Sequence, residues 1–380
     1  MRYRIRPLLC LTIVLCTAAA LAQTTAYVYV ARPTHLDAFA ATADGKLTPV
    51  PGSPFANQTL SEIVASNKHL VAVDDNGVDL HTFAIASDGA VKEVSTLSVA
   101  KYLPGNCAAG YYGSPLTSNI TGSDVYFVAT DCDYNGYLLS FRVEADGVLQ
   151  FLGASNYVLP VETIQFTRPT FVSNDKYAYQ AGCAYTTGVQ EQQLTTYRRS
   201  SSGLLEFVGE SSSPIPVTPS SPGGTYCPIA AAHSSDHLAL ALAELDSTSN
   251  YIGNTVLATY TASSNGDLTT KSTYQNMSVV PDFYIVAAIS ISPSGEYLAL
   301  AGDGVQIYRF DGSSPITHLA AALPEKYFDQ VAWDDKDNVY AHDAQNGYVR
   351  VYNVTSTKMK EAPGSPYSIP ESTALVVVPK

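Results

Sequence analysis

Residues 71–83 read VAVDDNGVDLHTF, an apolar run, a tight turn around Asn-Gly, then an alternating run that ends on an aromatic. The pattern recurs as VATDCDYNGYLLSF (128–141), LAGDGVQIYRF (300–310) and YAHDAQNGYVRVY (340–352). Each predicts a β-hairpin, with Asn-Gly or Asp-Gly in a type I′ turn whose two central residues take positive φ. A second turn and a further short strand follow in TADGKLTPV (42–50), ASDGAVKEV (86–94), EADGVLQFL (144–152), SSSGLLEFV (200–208) and SSNGDLTTK (263–271). Upstream lies another strand that ends in a polar turn: FVSNDKYAYQ (171–180), AAHSSDHLALA (231–241), SISPSGEYLALA (290–301) and AWDDKDNVYA (332–341). Each unit is a four-stranded antiparallel meander.

Central strands at Tyr27 to Val30, Leu70 to Val73, Val125 to Ala129, Tyr177 to Gln180, Leu238 to Leu242, Tyr297 to Leu300 and Val339 to Ala341 mark seven units. A period of roughly 50 residues with four strands per unit is that of an all-β, seven-bladed β-propeller, whose blades need neighbours to cover both faces. A sandwich does not repeat one meander seven times, and a solenoid lacks the hairpin turns. The repeat opens on a second strand, AYVYVA (26–31), and closes on a lone first strand, STALVVVP (372–379). The two ends are expected to complete one blade.

Composition narrows the setting. With 21 basic against 34 acidic residues the formal charge is -13, which argues against a sequence-independent grip on nucleic acid or anionic lipid. Residues 1–22 place Arg2, Arg4 and Arg6 before an apolar run from Leu8 to Ala19 and then Ala20-Leu21-Ala22, the pattern of a secretory signal peptide cleaved before Gln23. The apolar run is too short for a spanning helix, so no membrane insertion is expected. Residues 23–380 then form a single secreted or periplasmic domain. Its cysteines, Cys107, Cys132, Cys183 and Cys227, allow three connectivities. Their places in the repeat favour Cys107 with Cys132 and Cys183 with Cys227, as staples for long loops.

The phrases AYVYVA, ATADGKLTPVPGSPF and SPSGEYLAL resemble the lactonase type of seven-bladed propeller, the group of bacterial 6-phosphogluconolactonases and YVTN-repeat surface proteins. The resemblance runs along residues 23–380 as a blade pattern and implies the propeller fold. It also implies His, Arg and Glu side chains gathered at one mouth of the channel, including a His-rich stretch before one blade. This chain has no such stretch; Glu62, Arg168, Asp329 and Gln330 are the residues in place to stand in.

Loops leading into each first strand share a face with the hairpin loops after each second strand, and these are the enlarged ones: 101–115, 209–228 and 244–255. Tyr111, Tyr112, Tyr134, Tyr185 and Tyr226 fall there, beside Asn, Asp and Ser. Such rings suit a glycan or a peptide as platforms, or else they pin the loops by packing. Arg168 is the leading anion-binding side chain, with Glu62 or Asp329 as its partner; a small organic acid is the third ligand class. Asp131, Asp133 and Asn135 have the D-x-D-x-N-G spacing of a calcium loop, but position twelve is Arg142 in place of the bidentate Glu, so no cofactor is expected. No G-x-S-x-G occurs, and the seven His are dispersed. The reading is a binding module on the loop-rich face, with a lactone hydrolase using Arg168, Glu62 and Asp329, or a cell-surface interaction module, as alternatives.

Overall fold

The computed structural model describes residues 23–108, 116–133, 135–156, 163–166, 170–172, 175–186, 189–210, 215, 225–234, 237–246, 253–273, 276–280, 286–309 and 316–380. They form seven antiparallel sheets, the blades of a propeller. Blade 1 runs outward from Ala374–Pro379 through Thr24–Ala31 and Leu36–Thr42 to Leu47–Pro49. Blade 2 is Leu60–Ser66, His69–Asp74, Asp79–Ile85 and Val91–Ser98; blade 3 is Leu116–Ser118, Asp124–Thr130, Gly136–Val143 and Leu149–Asn156. In blade 4 two short inner segments, Thr163–Phe166 and Thr170–Val172, both pair with Tyr177–Thr186, followed by Val189–Arg199 and Leu205–Glu210. Blade 5 is Thr225–His233, His237–Leu245, Val256–Ala262 and Leu268–Thr269. Blade 7 is Gln330–Trp333, Asn338–Asp343, Tyr348–Thr355 and Lys358–Glu361.

Blade 6 departs from the expected hairpin at 300–310. Tyr297–Arg309 is one unbroken strand run whose first half pairs with Val286–Ile291 and whose second half pairs with Thr317–Tyr327. The change of partner falls at Gly302 and Gly304, both at positive φ.

The turns also depart from type I′. Gly77 and Gly347 take positive φ (69° and 68°), while Asn76 and Asn346 do not. The reason lies in the aspartate that opens each turn. Asp74 Oδ1 accepts the Val78 and Asp79 N–H groups at 2.8 and 2.9 Å, and Asp343 Oδ1 accepts that of Asn346 at 2.9 Å. A carboxylate that satisfies the turn's donors needs only one left-handed residue, and glycine supplies it. The second turn of the repeat is built alike: the Gly45, Gly89, Gly147, Gly203 and Gly266 N–H groups each donate to the carbonyl three residues earlier. This is a type I turn ending in a left-handed glycine.

Ring closure is as expected. Ala26–Ala31 pairs antiparallel with Ala374–Pro379 over six registered positions, from Ala26 opposite Pro379 to Ala31 opposite Ala374. The opening strand is buried on both faces, which is why AYVYVA has no polar alternation. Ala26, Val28 and Val30 pack with Tyr340, Val349 and Val351 of blade 7; Tyr27, Tyr29 and Ala31 pack with Leu70, Ala72 and Phe83 of blade 2. Each of the other junctions holds its own apolar cluster in the same way.

A polar contact repeats beside this packing. The Tyr29 hydroxyl donates to Gly89 O at 3.0 Å, Tyr126 to Gly203 O at 2.9 Å, and Tyr179 to Gly266 O. In each case a second-strand tyrosine reaches the next blade's turn glycine. That glycine cannot carry a side chain: at Gly89 (φ 87°) a Cβ would lie 2.3 Å from the Tyr27 ring. Gly89→Ala is expected to destabilise the fold by about 2–4 kcal/mol, combining the left-handed backbone cost with overpacking. Tyr29→Phe, which leaves a buried carbonyl without its donor, is expected to cost about 1–3 kcal/mol. Urea unfolding midpoints measure both.

Candidate functional site

The first residue of an inner strand lies opposite the end of the second strand, as in Leu60 opposite Asp74 and Gln330 opposite His342. Inner-strand starts and second-to-third-strand hairpins therefore share one face, here the upper face, as the meander predicts. Inner strands are also sheet edges. Their unpaired N–H and C=O groups face the channel and need partners.

Three of those partners come from the neighbouring blade, and together they trace an arc round the upper mouth. Gln330 of blade 7 accepts the Leu375 N–H of blade 1 through Oε1 at 2.7 Å. Thr373 of blade 1 donates its hydroxyl to Leu60 O of blade 2 at 2.7 Å. Glu62 of blade 2 accepts the Leu116 N–H of blade 3 through Oε2 at 2.8 Å, with its side chain buried. Two residues expected to meet a ligand thus also tie inner strands together.

The arc continues into blade 7. Asp329 is half-buried; its N–H donates to His342 O at 2.8 Å and its Oδ2 accepts the Ala344 N–H at 2.7 Å. Burial, with the nearby Asp343 charge, pushes the Asp329 carboxyl above the ordinary aspartate range. His342 is fully buried, with Nε2 2.8 Å from the Ser372 hydroxyl, and Ser372 directly precedes Thr373. Burial pushes its imidazole from 6.5 down to about 4, so the ring is neutral at pH 7. Sequence reading passed over His342 and Ser372. The available signal was the end of a second strand falling beside the loop that enters the closing strand.

Arg168 lies outside the described residues, as do Tyr111, Tyr112 and Tyr134. Tyr185 lies in strand Tyr177–Thr186, with its side chain outside the description. Tyr226 follows the packing alternative and not that of an open platform. It is 5 % exposed and packs among Leu194, Ile215 and Leu242, because the inner-strand face that carries it is covered by a neighbouring blade.

The Cys107–Cys132 disulfide is present, with Cα atoms 5.6 Å apart. Cys107 directly follows the short Pro104–Asn106 turn and Cys132 lies just beyond Asp124–Thr130, so the bond ties that turn to blade 3. Cys227 is buried and disulfide-bonded. The Cys183 side chain lies outside the description. In the D-x-D-x-N-G segment, Asp131 Oδ1 accepts the Asp133 and Asn135 N–H groups at 2.9 and 2.8 Å, and Oδ2 accepts the Tyr137 hydroxyl at 3.2 Å. Turn closure, shared with Asp74 and Asp343, accounts for that spacing. Among the described residues no group of three or more His, Cys, Asp or Glu is placed to hold a metal, and no helix is long and apolar enough to cross a membrane.

Solved structures of the same architecture are numerous. A protein from Bacteroides uniformis provisionally named a 6-phosphogluconolactonase superposes with a TM-score of 0.67 at 12 % identity, over 94 % of this chain and 100 % of its own. The periplasmic gluconolactonase of Pseudomonas aeruginosa gives 0.63 at 14 % identity, over 93 % and 99 %. The fold is that of the lactonase-type propellers. A hypothetical selenium-binding protein from Sulfolobus tokodaii also superposes, at 0.56 and 10 % identity over 94 % of each chain, so the likeness is one of architecture across different ligands. No protein-family model and no curated protein sequence matches the chain.

Two outcomes follow from this geometry. Gln330→Ala removes the acceptor of the Leu375 N–H and is expected to cost about 1–3 kcal/mol in urea unfolding, with Gln330→Glu retaining most of the stability. The second concerns pH. His342, and His233 near the lower face, have folded values of about 4 against 6.5. The unfolded chain binds more protons between those values, so stability falls as pH drops through that window. Asp329, raised, opposes this by gaining stability on acidification. His342→Gln is expected to flatten the decline in a series of unfolding midpoints against pH.

Proposed function

We propose that the protein, secreted or periplasmic after loss of residues 1–22, binds a small organic acid of the sugar-acid kind, or its lactone, at the upper mouth of the channel. One observation carries the reading: Glu62, Asp329, Gln330, His342, Ser372 and Thr373 gather in a single arc across blades 7, 1 and 2. Asp329, Gln330 and Thr373, the partly exposed members of the arc, offer polar atoms that suit a ligand rich in hydroxyl oxygens. The gluconolactonase named among the structural neighbours supports that ligand class. The disulfide and that neighbour's periplasmic origin support export.

Hydrolysis of the lactone is the second reading, favoured by the state of Asp329. A carboxylate with a raised proton affinity is a better general base near neutral pH than an ordinary one. Asp329 takes a proton from water as the water oxygen bonds to the lactone carbonyl carbon. The ring C–O bond then breaks, and the departing oxygen recovers the proton. Arg168, which lies outside the described residues, is the cation that the sequence offers for the carboxylate or the developing oxyanion. Glu62 and Gln330, whose acceptors serve inter-blade N–H groups, shape the mouth.

Calorimetry with D-gluconate and D-glucono-1,5-lactone on residues 23–380, with pH-stat turnover of the lactone, tests both readings. Saturable binding is expected, with turnover reduced by about 100-fold or more in Asp329→Asn while binding remains. Absence of heat with every aldonate and aldonolactone tried contradicts the binding reading; turnover unchanged in Asp329→Asn contradicts the role of that residue.

A further inference from the structure

Blade 1 stands at the centre of the arc, and its upper hairpin inverts a charge. In blades 2, 3 and 7 the residue that opens this turn is an aspartate, and Asp74, Asp131 and Asp343 each accept turn N–H groups through Oδ1. In blade 1 the position is taken by Arg32, one residue past Ala31, which pairs with Leu36. The turn closes without the Arg32 side chain: the Arg32 N–H donates to His35 O at 2.9 Å, and Pro33 brings no N–H to satisfy. The aspartates are consumed by their turns, whereas the guanidinium is left over.

That guanidinium is weakly held. Arg32 Nη1 lies 3.4 Å from Asp37 Oδ2, long beside the ~2.7–2.9 Å of a well-made charge-assisted bond. Asp37 is shared with His35 Nε2 at 3.7 Å, and Arg32 Nε has no hydrogen-bond partner among the described residues. The Arg32 side chain is 21 % exposed.

Register fixes the side of the blade on which it lies. Asp37 stands opposite Val30, and Val30 packs on Tyr340, Val349 and Val351 of blade 7. Cross-strand partners share a face, so Arg32 meets Asp37 on the blade 7 side of blade 1. At its root, Ala31 O accepts the Thr373 N–H at 2.8 Å, which sets Arg32 beside the Ser372–Thr373 segment. The same junction carries Ser372 against His342 and Asp329 against the Ala344 N–H. Asp329, Asp343 and the exposed Glu371 make this junction acidic, so an anionic ligand needs a cation there. Lys326, exposed three residues before Asp329, is the competing cation. Its ammonium is a strongly hydrated point charge, whereas the half-buried fork of Arg32 matches the two oxygens of a carboxylate.

Resting on the proposed reading of the mouth, we infer that Arg32 binds the ligand's carboxylate at the blade 7–blade 1 junction, so that the site prefers the open-chain sugar acid to a neutral analogue of the same skeleton. This goes beyond that reading by choosing the acid over its lactone and by giving to Arg32 the role that the sequence offered to Arg168.

D-Gluconate and D-gluconamide share a carbon chain and hydroxyls and differ in charge, so calorimetric titration of residues 23–380 with both isolates the carboxylate. Wild type is expected to bind gluconate about 10- to 100-fold more tightly than gluconamide. Arg32→Gln is expected to erase that gap by weakening gluconate alone, and Lys326→Gln to keep it. Arg32→Lys, which retains the charge without the fork, is expected to narrow the gap severalfold and decides the matter if Arg32→Gln does not fold. Equal affinity for the two ligands in wild type, a gap unchanged in the Arg32 variants, or a gap lost in Lys326→Gln overturns this inference and leaves the mouth reading intact. Absence of heat with gluconate, gluconamide and the aldonolactones overturns both.

Discussion

Six registered positions between Ala26–Ala31 and Ala374–Pro379 join the two ends of the described chain into one blade, and every other feature of the ring depends on that pairing. A single meander has two apolar faces and cannot bury both alone. Here each face is covered by the next blade, so burial at any junction presupposes a closed circle. The cluster at the blade 7–blade 1 junction contains residues from both ends, Ala26, Val28 and Val30 with Leu375 and Val377. Without the closing strand those side chains would lose their cover, and the loss would pass to the neighbouring junctions.

Closure creates a second constraint, because seven inner strands present sheet edges to one channel. The chain answers with side chains taken from the neighbouring blade. Gln330 and Glu62 serve backbone N–H groups, and Thr373 serves a carbonyl. The groups that satisfy the edges are thus the ones that make the mouth polar. A site placed there inherits its rigidity from the scaffold, while Asp329 and His342, set just outside the inner ring, carry the shifted proton affinities.

What could be read from the sequence alone is what local patterns and their repetition carry. The meander and the Cys107–Cys132 pair follow from patterns within one or two strands, and the closing blade follows from the phase at which the sevenfold repeat opens and ends. The turn type was misread because Asn-Gly and Asp-Gly were considered without the Asp74 or Asp343 carboxylate that closes the loop from its first position. Partnerships between blades were not legible: Gln330 meets Leu375 across 45 residues, Glu62 meets Leu116 across 54, and Tyr29 meets Gly89 across 60. Nothing local marks Glu62 as an acceptor for another strand, and nothing marks Tyr226 as buried. The recurrence of a strand-two tyrosine with a turn glycine one blade later was available as a signal, since both were present in the repeat.

Native-state hydrogen exchange on blade 1 tests the account most directly. If ring closure underlies all seven junctions, the paired amides within 26–31 and 374–378 exchange only through global unfolding, as slowly as those of Tyr126 to Val128 in blade 3. Fast exchange confined to the two terminal strands, with the other blades still protected, would contradict it.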